Sequence, residues 1–214
     1  MRKTTMKRSL FWGLGVSAAA LSVSAAVYGA VPSPMPIHWD AAGNPNGYAS
    51  RAVGLTIMPV MAIVTSAILA ACGGLVADKP SAHRTLGRVS LATSVFMGGL
   101  HLLVIRAALT GGGLAVGMFM ILMGALFSGL GLMMPGIEQN RWVGVRTPWT
   151  LADEANWALT HRLAGWTMGI GGAVAMLSGL VLSGAVAFWV AFTAIVIGSL
   201  LPVLGSWVIH TARR

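Results

Sequence analysis

The chain has 214 residues, of which 56% are hydrophobic and only 9% are charged. A soluble domain carries about 25% charged residues, so this composition excludes a soluble globular protein, and its hydrophobicity excludes an intrinsically disordered one. The net charge of +9 would suit a nucleic-acid-binding protein. The basic residues, however, lie in short segments between long apolar runs rather than in one patch, so we expect no direct contact with nucleic acid.

Apolar runs of membrane-spanning length dominate the chain, since the bilayer core requires about 20 helical residues. They cover approximately 9–31, 54–77, 89–110, 113–135, 163–183 and 185–209. The sequence therefore predicts an all-α, polytopic membrane helix bundle of about six transmembrane helices in the lipid bilayer. The first run, preceded by basic residues, also has features of a signal peptide. We expect it to be retained as a span; cleavage would leave five.

The distribution of Lys and Arg predicts the orientation of the bundle. Of the 14 basic residues, all except Arg51 and Arg106 precede, follow or connect the spans on one side of the membrane. Cytoplasmic segments are enriched in Lys and Arg. Both termini are therefore expected in the cytoplasm, that is, N-in and C-in.

The first outer loop, residues 32–53, is the longest segment predicted on the outer side. Three prolines favour an extended, polyproline-like beginning, and the glycines and asparagines of 43–47 are typical of a turn. His38 and Asp40 are possible metal ligands, but no third or fourth ligand is evident, so we expect no metal site. The loop is instead expected to form a structured turn or a recognition surface.

The inner loop, residues 136–162, is rich in polar and aromatic residues. Thr150 and Asp153 have the spacing of a capping box, which predicts a short helix from about 151 into the fifth span. Arg146 could pair with Asp153 or Glu154 in a docked element. Alternatively, the tryptophans and arginines could form an ordinary interfacial belt. The spacing of these residues favours neither interpretation.

Ionisable residues are rare within the predicted spans. His101 lies past the midplane of the third span, where such a residue is either a functional group or a hydrogen-bonding partner of a neighbouring helix. Arg106 lies near the outer end of the same span and can extend towards water. The pairs Gly113–Gly117 and Gly165–Gly169 have the spacing that permits close helix contact.

The sequence lacks the patterns that support several kinds of membrane chemistry. It contains no HExxH motif, no P-loop and no paired aspartates within spans, and His101 has no evident partner for haem. We therefore predict a protein that is not an enzyme and has no cofactor. The absence of carboxylates within the predicted spans argues against an ion-coupled pump, but it does not argue against a passive channel.

Two motifs carry a family resemblance. The inner loop contains a run of polar and aromatic residues with defined spacing: Asn140, Gly144, Arg146, Thr147, Trp149, Asp153, Glu154, Trp157, His161 and Arg162. This run resembles the signature of the SdpI family of bacterial membrane immunity and receptor proteins. The outer loop, from Pro36 to Arg51 and followed by Pro59, is similar to the N-terminal module of unknown function that accompanies it.

The resemblance implies a non-enzymatic, multi-pass protein of the bacterial cytoplasmic (inner) membrane. Such a protein would give resistance to a secreted peptide toxin and could hold a cytoplasmic transcriptional repressor at the membrane. The inner-loop residues named above would then dock the repressor. The residues that would sense the toxin belong to the outer loop and are His38, Trp39, Asp40, Tyr48 and Arg51.

The same resemblance predicts two modules and leaves other functions to be weighed. Residues 1–77 would form a two-span module, and residues 78–214 would form the four-span SdpI-like module. The alternative function is a small-solute permease or channel with a path past His101 and Arg106. A structural or lipid-organising protein without a specific ligand is a third possibility.

The basic asymmetry yields a test of orientation. After Arg51 or within 111–113, a fused periplasmic reporter should be active and a fused cytoplasmic reporter inactive. After Lys79, Arg141 and Arg214, the cytoplasmic reporter should be active and the periplasmic reporter inactive. The measurement is the paired activity of a periplasmic and a cytoplasmic reporter at each site. An outside C-terminus would contradict six spans with both termini in the cytoplasm.

Overall fold

A computed structural model describes residues 2–213, with side chains from Arg8 onwards. Its elements are α1 (Arg2–Val27), β1 (Met35–Trp39), β2 (Pro45–Ala49), α2 (Arg51–Leu75), α3 (Pro80–Leu109), α4 (Val116–Met133), α5 (Pro148–Ala152), α6 (Glu154–Val181) and α7 (Gly184–Ala212). Part of the basic asymmetry rests on Arg2, Lys3 and Lys7, whose side chains are not described, and on Arg214, which lies outside the described residues.

The prediction of six spans is confirmed. All helices except the five-residue α5 are long and apolar enough to cross a membrane. The main difference is that α3 and α6 begin several residues before the apolar runs from which they were predicted. Pro80 starts α3, and the Asp153 side chain caps α6, so helix-starting signals rather than hydropathy set these boundaries.

The helices have two ends, which we call the hairpin face and the loop face. The hairpin face carries β1 and β2, which form an antiparallel hairpin, and the connection 110–115. The loop face carries the turn 76–79 and the loop 137–153. The polyproline-like beginning expected of the outer loop ends at Met35, where β1 begins. The side chain of Met35 is fully buried and packs against Gly54. Which face lies in the cytoplasm stays a prediction.

The spans form two groups around separate cores. Helices α1, α2 and α3 pack on one another, and α4, α6 and α7 form the second group, with α3 contacting α4. Short connections on the hairpin face join α3 to α4 and α6 to α7. Helices α6 and α7 do pack closely, whereas α4 packs far more extensively on α6 than on α3.

Glycines explain the close contact of α4 with α6. Three glycines of α4, spaced seven residues apart, face three glycines of α6 that have the same spacing and run the opposite way: Gly117 against Gly179, Gly124 against Gly172, and Gly131 against Gly165. At each of these positions a Cβ atom would meet backbone or side-chain atoms of the opposite helix or its extension. Small residues let helices approach closely in a membrane. The expected pairs were partly wrong, since a Cβ atom at Gly113 or Gly169 would meet nothing within 4 Å.

Two prolines inside spans release backbone carbonyls that neighbouring helices bind. Pro59 cannot donate to the carbonyl of Leu55, and the Ser24 hydroxyl of α1 lies 2.7 Å from that oxygen. Pro202 likewise leaves the carbonyl of Gly198 free, and the Thr167 hydroxyl of α6 donates to it at 2.7 Å. Hydroxyl groups thus replace the missing N–H donors in a solvent that supplies none.

The glycine series predicts a selective effect of one methyl group. Gly172→Ala should destabilise the protein by about 1–3 kcal/mol, because the new Cβ would collide with the carbonyl oxygen of Gly124, which cannot move without shifting α4. Gly129→Ala on α4 is the control, since its Cβ would meet nothing within 4 Å. Thermal unfolding in detergent, followed by circular dichroism, measures both. Equal midpoints for the two variants would contradict the packing.

The proline carbonyls predict a second effect. Thr167→Val keeps the shape of the side chain but leaves the carbonyl of Gly198 without a donor, which should cost about 1–3 kcal/mol. Thr93→Val is the matched control, because the Thr93 hydroxyl bonds only carbonyls of its own helix. Denaturant titration in mixed micelles gives both free energies of unfolding. A control variant as unstable as Thr167→Val would show that the interhelical bond carries no special weight.

Candidate functional site

The tip of the hairpin is organised around the Asp40 carboxylate. One of its oxygens accepts hydrogen bonds from the backbone N–H groups of Ala42 and Asn44, both at 2.9 Å, and the other accepts from the Asn44 side chain at 3.1 Å. These bonds, above all that from the Asn44 side chain, lower the pKa of Asp40 below its usual range. The carboxylate is therefore exposed and ionised at neutral pH. The turn predicted at 43–47 is therefore present, but it begins earlier in the chain, at Asp40.

The hairpin is fastened to the connection between α3 and α4. The Trp39 indole donates to the carbonyl of Gly112 at 2.6 Å, and the backbone N–H of Leu114 donates to the carbonyl of Gly43 at 2.9 Å. Gly43 has φ +88°, a conformation that favours glycine, and a Cβ atom there would collide with Leu114. The hairpin, which is attached to the first helix group, thus also contacts the segment that leads into α4 of the second helix group.

The remaining outer-loop candidates do not all converge with Asp40. The ring of His38 hydrogen-bonds the Asn46 side chain across the hairpin. Tyr48 is exposed on the opposite strand. Arg51 donates to the carbonyl of Tyr28 at 3.1 Å and lies over the Tyr28 ring, joining the end of α1 to the start of α2. No three His, Cys, Asp or Glu side chains among the described residues are placed to share a metal ion.

A cleft runs beneath the hairpin between the two helix groups. Its outer part, about 240 Å³, is lined at the mouth by residues of the hairpin, including His38 of β1 and Asp40 of the turn, and below them by apolar residues of α2, α3, α4 and α7. A second cavity of about 490 Å³ between α4 and α7 has an almost wholly apolar lining. Phe119 and Phe188 line both cavities. The cleft is thus polar only at its mouth.

His101 is completely buried where α1, α2 and α3 meet. Its Nε2 atom lies 2.8 Å from the Ser24 hydroxyl, which has one proton to give and also lies beside the released carbonyl of Leu55. If Ser24 donates to that carbonyl, His101 must donate from Nε2, which leaves Nδ1 as an acceptor. Nδ1 has no partner among the described residues. The arrangement joins three helices and assigns His101 the interhelical bond that was one of its two expected roles.

Arg106 does not share the environment of His101. Five residues separate them, which is a rotation of about 140° around an α-helix. Accordingly His101 is buried, whereas Arg106 is exposed at the end of α3. The two residues therefore do not line a common path.

On the loop face, Asn140 closes a tight turn. Its side-chain oxygen accepts from the backbone N–H groups of Trp142 and Val143, and its side-chain nitrogen donates to the carbonyls of Glu138 and Val143, all between 2.8 and 3.1 Å. These four bonds use the whole hydrogen-bonding capacity of the amide. Asn140 therefore acts within the loop, and its side chain has no group left for a partner.

His161 holds the next part of the loop. It is buried, stacks on Trp157 with ring centroids 4.0 Å apart, and donates from Nδ1 to the carbonyl of Trp157. Its Nε2 atom then accepts from the backbone N–H of Val145 at 3.1 Å. Gly144 has φ +116°, and a Cβ atom there would overlap the His161 ring. Glycine is thus required both by conformation and by space.

The short helix α5 is attached to α7 through Ser206. Thr147 caps α5, and the Trp149 indole donates to the Ser206 hydroxyl at 2.6 Å. The carbonyl of Ser206 accepts from the side chain of Asn156, which in turn accepts from Thr160 at 3.0 Å. The loop motif is therefore joined to both α6 and α7 by buried polar groups.

One expectation about this loop was wrong, and the pairing considered for Arg146 is not the one observed. The capping box is formed by Thr147 with Thr150, not by Thr150 with Asp153, because Asp153 leaves the helical conformation and caps α6 instead. Within the described residues Arg146 pairs with neither Asp153 nor Glu154; it donates to the carbonyl of Arg141 at 3.0 Å. Asp153 instead forms an ion pair with Arg213 at 3.5 Å, because the end of α7 lies beside the start of α6.

The motif residues thus divide into two classes. Seven of them hold the loop on the helices, whereas Arg146, Glu154 and Arg162 are exposed; the seven are Asn140, Gly144, Thr147, Trp149, Asp153, Trp157 and His161. Sequence reasoning missed Ser24, Asn156, Thr160 and Ser206. Each of these four is a polar residue at a completely or almost completely buried position of a span. The spacing of Asn156 and Thr160, one helical turn apart, was a signal that could have found them.

Comparisons with known proteins agree with both motifs. The SdpI/YfhL protein family matches residues 136–206, and a domain of unknown function (DUF1648) matches residues 15–63. The first match contains the whole loop motif, and the second contains the hairpin. No solved structure matches the chain.

One curated relative extends the agreement along the chain. Immunity protein SdpI of Bacillus subtilis is 28% identical over 144 residues, which are 64% of this chain and 65% of the relative. The match thus spans somewhat less than two thirds of the relative. The loop motif, the hairpin and the six membrane-spanning helices agree with these comparisons: the chain is similar to the SdpI/YfhL protein family over residues 136–206 and is a multi-pass protein of the bacterial cytoplasmic membrane.

Proposed function

We propose that this protein is a non-enzymatic immunity protein that protects the cell from a secreted peptide toxin. The observation that carries the proposal is the cleft beneath the hairpin, polar at its mouth and apolar at depth. The name of the Bacillus relative, an immunity protein, supports the same function. On the predicted orientation the mouth of the cleft faces the outside, where a secreted peptide arrives.

The chemistry of the cleft suits an amphipathic peptide. Phenylalanine and methionine side chains line its depth and would receive apolar side chains of the peptide. The ionised carboxylate of Asp40 at the mouth would attract a basic group. A peptide held here is withdrawn from the lipid in which it would otherwise assemble a pore. Binding thus replaces catalysis as the means of protection.

The hairpin is placed to control entry to the cleft. It is held over the mouth by the bond from Trp39 to the carbonyl of Gly112 and by that between Gly43 and Leu114. A peptide that displaces one of these contacts would lift the hairpin from the second helix group. A ligand changes a conformation only through different affinity for two states, and these bonds distinguish such states.

Helix α7 offers a connection from the cleft to the loop face. Phe188 and Phe192 near its beginning line the cleft, and Ser206 near its end binds Trp149. A shift of α7 on peptide binding would disturb the attachment of α5. We propose that this movement changes the exposed surface around Arg146, Glu154 and Arg162, and that this surface recruits a cytoplasmic transcriptional repressor.

The permease or channel receives no support from the geometry. A path past both His101 and Arg106 would require them to share a lining, but one is buried between three helices and the other is exposed at the helix end. The deep cavity between α4 and α7 is apolar and offers no route for a hydrated solute.

The immunity function is tested by filling the cleft. The chain is produced in Bacillus subtilis lacking its own immunity protein, and colony survival is counted after exposure to that bacterium's toxin. We expect at least about tenfold more surviving colonies than without the chain, since a tight complex removes most of the free peptide. Ser199→Phe, which places a large ring in the deep cavity, should abolish protection because the peptide no longer fits.

Ile197→Phe is the matched control, since this neighbouring residue is exposed and lines neither part of the cleft. Membrane levels of all forms are compared by immunoblotting. A wild-type chain that gives no protection would sink the immunity function. Protection that survives Ser199→Phe would instead move the binding surface away from the cleft.

A further inference from the structure

Another cavity, chemically different from the cleft beneath the hairpin, lies on the loop face. Its volume is about 580 Å³, and it lies between the end of α2, the turn 76–79 and the loop around 139–142. Its lining combines charged, polar and apolar side chains: Leu75, Val76, Asp78, Lys79, Gln139, Asn140, Arg141, Trp142 and Leu151. It shares no lining residue with the cleft beneath the hairpin.

The charges of this cavity favour an anion. Lys79 and Arg141 contribute two positive charges against the single carboxylate of Asp78. Neither cation belongs to an ion pair in the described part of the chain, where the pair of Arg213 with Asp153 is found instead. The cavity therefore offers two cations with free donors to a negatively charged group.

The apolar side chains around these cations indicate an amphiphile rather than a free anion. Leu75 and Trp142 are each 51% exposed, and Leu151 is 39% exposed. Leu75 is the last residue of a membrane-spanning helix, so this rim lies where the apolar interior of the bilayer meets its charged surface. A soluble phosphate would leave the rim uncovered, whereas a lipid would place acyl chains against it.

The walls of the cavity are held in place before any ligand arrives. The amide of Asn140 fixes the turn that carries Arg141 and Trp142. Gln139 donates to the carbonyl of Thr150 at 2.7 Å, which attaches that turn to α5. Such preorganisation lowers the entropic cost of binding.

We propose that this cavity binds the headgroup of an anionic phospholipid, with Lys79 and Arg141 against its phosphate and Trp142 beside its glycerol and acyl region. Basic pockets between helices at a membrane surface are suited to such headgroups. A bound lipid would join the end of α2 in the first helix group to the loop motif in the second. This site is independent of the proposed immunity function.

The test counts bound lipid on the purified full-length protein by native mass spectrometry. Phosphatidylglycerol should bind in preference to phosphatidylcholine. Lys79→Gln and Arg141→Gln should each weaken phosphatidylglycerol binding about fivefold, and the double variant about 25-fold, at one surface charge each. Arg84→Gln is the control, because it removes an equal exposed charge from α3 outside the cavity.

Further measurements separate the alternatives. Unfolding midpoints in phosphatidylcholine should be equal for all variants, which shows that binding rather than folding has changed. Equal binding of the two lipids, or equal losses for Arg84→Gln and Arg141→Gln, would overturn the proposal. So would displacement of the lipid by millimolar inorganic phosphate, which would indicate a free anion, or by polyglutamate, which would indicate an acidic protein partner.

Discussion

The absence of water inside the bilayer determines much of this structure. A backbone carbonyl that loses its helical donor there must find another, and both internal prolines create such a carbonyl. Ser24 of α1 approaches Leu55 of α2, and Thr167 of α6 approaches Gly198 of α7. Each helix group therefore contains one bond that fixes the rotation and height of two helices relative to each other. Apolar packing alone would leave both less well defined, since lipid competes with it.

The same requirement explains the polar residues that connect the two faces. The Ser24 hydroxyl also forms a hydrogen bond with His101, so one hydroxyl group joins α1, α2 and α3. In the second group Ser206 of α7 joins three helices in a comparable way, because its hydroxyl and its carbonyl accept hydrogen bonds from side chains of α5 and α6. The outer part of the cleft lies between these two well-determined groups and its deep part lies between α4 and α7, where the lining is largely apolar. Rigid groups on either side of an adaptable cleft are a suitable arrangement for receiving a ligand.

Hydropathy and composition were sufficient to predict the six spans, because long apolar segments without carboxylates have few other solutions. The loop motif was recognisable because its glycines, tryptophans and histidine have fixed spacing. The roles of its residues were harder to predict: the carboxylates considered as partners of Arg146 lie close to it in sequence, whereas Asp153 pairs with Arg213, sixty residues further along the chain. The strands were missed because each contains a proline, at positions 36 and 45, which is unfavourable in a strand. Pairings between distant helices, such as Trp149 with Ser206, depend on a packing geometry that one sequence does not specify.

The glycine series has a consequence for biosynthesis. Helix α4 is completed long before α6, and the chain between Met133 and Val181 requires roughly 2–10 s at ordinary rates of translation. During that time the glycine-lined side of α4 has no helix to approach and must be covered by lipid or by the insertion machinery. The loop motif emerges within the same interval, but its anchors on α6 and α7 do not yet exist. The loop face can therefore acquire its final form only after the last helix has entered the membrane.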